Sequence, residues 1–140
     1  MSVYNAVILF YDEKIPYQIL LERVQNSTLA KSVEFGINGY CTYFGKREFF
    51  RELRYEYDIY LNCTSKEFGY NIYKYPEYIP ELTKILLDMN IYVDSNDNVE
   101  SITISSFDDA YALFFSGYLE VYIQIMKKLF FADRVTIEVE

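Results

Sequence analysis

The chain has no histidine and no tryptophan, only five glycines and three prolines, and just two cysteines among 140 residues. The missing histidine removes the imidazole general base, the Ser-His and Cys-His pairs and the commonest metal-ligating side chain. The scattered glycines form neither a GxxxxGK[ST] phosphate loop nor a GxGxxG turn into a helix. Two separated cysteines, Cys41 and Cys63, cannot build a four-ligand zinc site, and both read as small core residues on strands. No apolar run approaches the roughly 20 residues needed to cross a bilayer. The first residues, MSVYNAVILFYDEK, have no basic stretch before their short apolar run. The sequence therefore predicts a cytoplasmic protein with reduced thiols, no cofactor and no metal.

Positive charge is also scarce: 13 Lys and Arg stand against 21 Asp and Glu, a net charge of −8. Nucleic acid and anionic membrane surfaces both ask for a basic footprint, so neither is an expected partner. What the chain has in abundance is aromatic surface, with 16 Tyr and 11 Phe. Such rings supply core area and favour strands, while Tyr is also enriched at interfaces. The length fits one domain, residues 1–140, with one sizeable core.

Patterning suggests the elements. Val3 to Tyr11 is a nearly continuous apolar run, expected as a central strand. Pro16 opens a helix with Tyr17, Leu20, Leu21 and Val24 on one face, and Gln25 to Thr28 ends it. Asn38-Gly39 between SVEFGI and YCTYFG reads as a two-residue type I′ hairpin, with Ile37 facing Tyr40. Leu53 to Cys63 alternates as a strand with one wet face, Arg54, Glu56, Asp58, Tyr60 and Asn62, and Lys66 to Tyr75 is its expected neighbour. Pro80 starts a second expected helix, with Leu82, Ile85, Leu86 and Met89 as its buried stripe. Ile91–Val93 and Val99–Ser105 are expected to pair across Asp94–Asn98. Ser106 and Asp109 resemble a capping box before a helix from Phe107 to about Ser116. Tyr118–Phe131 fits both periodicities, helix better, and RVTIEVE is a strand. Together these predict an α+β fold: a single domain with a largely antiparallel β-sheet and about three helices packed on one face.

Two local constellations invite chemistry. Asp94, Asn96 and Asn98 occupy the first, third and fifth places of a calcium loop, but Val99 stands where the sharp turn needs Gly and Ser105 where a bidentate Glu is needed. Asp and Asn belong in a turn without any metal. Asp108-Asp109 could serve carboxylate catalysis, yet neighbours on a helix diverge by roughly 100°, and a helix start accepts two acids for its dipole alone. Collective charge is more informative. Residues 85–126 contain no Lys or Arg and seven acids. Asp94, Asp97, Glu100, Asp108 and Asp109, with Tyr92 beside them, are the candidate partner-binding residues for a basic protein. The expected function is a non-enzymatic inhibitor of immunity or antitoxin type that occludes a toxin, such as a nuclease. A viral or phage accessory protein blocking a host factor is the alternative, and a carboxylate-based or metal-dependent enzyme a third. Exposed strand edges leave a homodimer open.

Overall fold

The computed structural model describes residues 5–32, 34–46, 51–63, 83–106 and 123–139. Six strands form one sheet: β1 (Asn5–Phe10), β2 (Gly36–Lys46), β3 (Arg51–Cys63), β4 (Thr83–Val93), β5 (Val99–Ser106) and β6 (Arg134–Val139). Their order is β2-β3-β4-β5-β1-β6, and every neighbouring pair is antiparallel. Helices α1 (Tyr17–Gln25) and α2 (Thr28–Ser32) connect β1 to β2, and a third helical segment, α3, covers 123–129. The architecture is mixed α+β.

One sheet face is apolar in every strand whose side chains are described. Across the ladder, Tyr55 opposes Ile91, Tyr57 opposes Met89 and Ile59 opposes Leu87; Met89 and Ile91 then oppose Ile104 and Ile102, which oppose Val7 and Leu9. All of these are buried. Alternation along each strand places them on one side because the side-chain period is two. Tyr17, Leu20 and Val24 of α1 and Ile125, Met126 and Leu129 of α3 belong to the same core. The Tyr17 ring stacks on the Tyr55 ring at 3.9 Å and 17°, which fixes the start of α1 over β3.

Local chemistry explains the helix ends. Ser27 Oγ bonds the Val24 carbonyl behind it and accepts the Ala30 N–H ahead, so one side chain finishes α1 and caps α2. The predicted stop at Gln25–Thr28 is thus a corner between two helices. Glu34, at φ 48°, takes the left-handed position after α2. Phe131, at φ 54°, does the same after α3: its N–H reaches the Lys128 carbonyl and Ala132 N–H reaches that of Lys127, a Schellman pattern closed without glycine.

Several expectations are corrected. Asn38-Gly39 is not a hairpin turn. β2 runs straight through it, Ile37 pairs with Ile59 and Gly39 with Asp58, so Asn38 is the extra residue of a bulge. The predicted helix after Pro80 is strand β4 from Thr83 onward, because Leu87, Met89, Ile91 and Val93 bury alternate positions along a ladder with partners on both sides. Over 54–60 both edges of β3 are filled, by β2 and β4, so Lys66–Tyr75 does not hold the neighbouring place there. That segment lies outside the described residues, as do the expected helix from Phe107, the Asp109 end of the capping box, and residues 118–122. The β4–β5 hairpin, β1 between two neighbours, the helix over 123–129 and the final strand agree with expectation. Cys41 lies opposite Glu56, seven residues along β3 from Cys63. At roughly 3.3 Å per residue that is about 23 Å, too far for a disulfide.

Candidate functional site

The two faces of the sheet differ in chemistry. Opposite the core lie Arg54, Glu56, Asp58 and Tyr60 of β3, Asp88, Asn90 and Tyr92 of β4, and Ser101, Thr103 and the buried Ser105 of β5. This outer face collects acids at its centre. Asp58 and Asp88 are directly opposed across the ladder, and Glu56 is two residues along the same strand. Glu56 is held by Arg54, whose Nη2 lies 2.7 Å from its Oε1. No such cation compensates the other two among the described residues. Burial raises the Asp88 pKa above its ordinary value of 3.8, and the hydrogen bond to Asp58 and the charges of Asp58 and Glu56 raise it further. A bond between two carboxyls needs a proton on one of them, so the pair shares one where it forms.

The predicted binding residues fall in different settings. Asp94 and Asp97 sit in the β4–β5 turn, where both accept hydrogen bonds that hold the turn. Asp94 Oδ1 accepts the N–H groups of Asn96 at 2.8 Å and Asn98 at 3.0 Å. Those bonds, led by the one from Asn98, hold its pKa below the usual value. Asp94 also faces Lys14 at 3.9 Å. Asp97, in the left-handed region at φ 65°, accepts the Tyr55 hydroxyl at 2.8 Å. The turn itself is tied to the start of α1: Tyr17 N–H bonds the Asp97 carbonyl at 3.1 Å, and Val99 N–H bonds that of Ile15 at 2.8 Å. The calcium-like spacing is therefore a hairpin closure that also grips a helix.

Glu100 is exposed and is the unpaired residue of a second bulge, since Tyr92 pairs with Ser101 but Val93 with Val99. Tyr92 is half-buried on the outer face between Arg54 and Ser101. Asp108 and Asp109 lie outside the described residues. The sheet thus joins Asp88 to Glu56 and Asp58, and leaves Asp94, Asp97 and Glu100 at the hairpin end. Sequence reasoning missed this cluster. The wet-face alternation of β3 had already named Glu56 and Asp58; reading β4 as a helix hid their partner.

Among the described residues, no group of three or more His, Cys, Asp and Glu converges to hold a metal ion. Among the same residues, no helix is long and apolar enough to cross a membrane. No family model, curated protein or solved structure matches this chain.

Proposed function

We propose that this chain is a non-catalytic binding protein that neutralises a basic protein partner by occlusion, as an immunity protein or antitoxin does, with the outer face around Glu56, Asp58 and Asp88 as its contact surface. One observation carries the reading: two carboxyl side chains stand on residues directly opposite each other in mid-sheet, where opposite charges are the favourable cross-strand pair and like charges the unfavourable one. That arrangement costs the free protein stability and favours any Lys or Arg delivered between the two carboxyls. A nuclease that binds phosphates with basic side chains offers such groups, and carboxylates compete for them where phosphates would sit. Glu100 and the hairpin end extend the negative field and speed the encounter.

The test compares the native chain with an Asp58→Lys/Asp88→Lys variant, both immobilised and exposed to lysate from the host. The native chain is expected to retain a basic protein that elutes as salt rises, and the variant to lose it. Retention of the same protein by both, or elution insensitive to salt, removes the electrostatic reading. Chemistry performed by the shared-proton pair would instead be revealed by turnover that Asp88→Asn abolishes.

A further inference from the structure

We infer that β6 is a self-complementary edge through which two copies of this chain pair, joining their sheets. Among the described residues β6 ends the strand order, and only its β1 side is bonded within the sheet. The other side presents a row of backbone donors and acceptors, the usual template for adding a strand. Natural edges of this kind are commonly blunted by proline, a bulge, extreme shortness or charged side chains, and of these β6 carries only charges, Arg134 and Glu138. Here the ladder to β1 runs unbroken from Arg134 to Val139 with no proline, and Thr136, Ile137 and Glu138 are exposed. Ile137, at 43% exposure, is one of three large apolar side chains exposed among the described residues.

What selects a second copy as the occupant is the order of residues. Arg134-Val135-Thr136-Ile137-Glu138 reads as positive, apolar, Thr, apolar, negative. An antiparallel copy centred on Thr136 places Arg134 opposite Glu138 at both ends, Val135 opposite Ile137 twice, and Thr136 opposite itself. Opposite charges, apolar pairs and Thr-Thr pairs are the favourable cross-strand combinations. Moving the centre by one residue destroys the match: around Val135, Arg134 meets Thr136, and around Ile137, Glu138 meets Thr136. The faces agree as well. Val135 and Ile137 oppose Leu9 and Val7 on the core side, while Arg134 and Glu138 lie on the outer side. A two-fold axis normal to the sheet keeps both sets together, so the dimer continues the core as well as the ladder. Arg134 already donates Nε to Asp12 at 3.1 Å, but that uses one of its five N–H donors.

The proposal is independent of the partner assigned to the acidic face. The experiment is sedimentation velocity across a concentration series, with circular dichroism checking that each variant is folded. The native chain is expected to rise from 16.7 kDa toward twice that mass. Glu138→Arg and, separately, Ile137→Lys should stay at the single-chain mass, because the first sets Arg against Arg and the second buries a charge. Arg134→Glu combined with Glu138→Arg should recover the rise, since the swap restores both pairs. A native chain that remains monomeric, a Glu138→Arg variant that still doubles, or a double swap that stays single each overturns the proposal; the second outcome would place the contact on another surface.

Discussion

Tyr55 joins three parts of the structure: its own strand β3, the start of α1 and the β4–β5 turn. Its ring lies under Tyr17, its hydroxyl donates to Asp97, and burial holds that hydroxyl protonated far above its ordinary range. Tyr55→Phe keeps the stack and deletes the bond, and a hydrogen bond to a charged acceptor is worth about 1.5–3 kcal/mol. Urea unfolding should show a loss in that range, with slower α1 amides losing exchange protection first. Asp88 should behave in the opposite way. Its folded pKa is raised above the unfolded value, so between those two values the native state holds more protons and stability falls as pH rises. Asp88→Asn removes the ionisation, and the variant is expected to melt higher than the native chain at pH 7. The gap should close in acid, below the ordinary carboxylate value; a native chain as stable as the variant at neutral pH would show that the opposed pair carries no strain. Asp94 has the reverse sign. Its pKa is lowered, so its contribution is present above the unfolded value and fades as acid protonates the folded carboxylate.

Among the elements, β4 and the first bulge show where the sequence was legible and where it was not. The strand β3, the β4–β5 hairpin and β6 declare themselves because polar and apolar residues alternate cleanly on a sheet with one wet face. β4 hides because Ile85, Leu86, Met89 satisfy a helical spacing as well, and only a partner on each side decides for the strand. The Asn38-Gly39 pair is a strong turn signal locally, yet ten of the 11 residues of β2 pair with one continuous strand, and that ladder outweighs the local preference. A deletion separates the two descriptions. Removing Asn38 would wreck a two-residue hairpin, whereas it should regularise the β2–β3 ladder and leave melting within a few degrees of the native value. The candidate site was half legible for the same reason: β3 displayed its acids, and the register that opposes Asp58 to Asp88 exists only once β4 is a strand. In the core of that strand, Met89→Ala should cost about 2–5 kcal/mol, read from the urea midpoint, since Met89 is fully buried.

At the scale of the molecule, the ladder joins the two ends of the chain. β1 lies between β5 and β6, with Asn5 opposite Val139 and Phe10 opposite both Ser101 and Arg134. Tyr11, just after β1, donates its hydroxyl to the Phe130 carbonyl at 2.6 Å, fastening the same ends from the core side. These contacts are distant in sequence, so loop closure slows folding, and a chain stripped of residues 1–10 should lose its cooperative melt even though 130 residues remain. Synthesis on the ribosome runs into the same geometry from the other direction. β1 is made well before β5 and β6, the strands on either side of it, so both of its backbone edges stay open until those are translated. A ribosome that stalls before β6 therefore leaves one edge of β1 without its partner strand. It releases an unfinished sheet for chaperones and proteases.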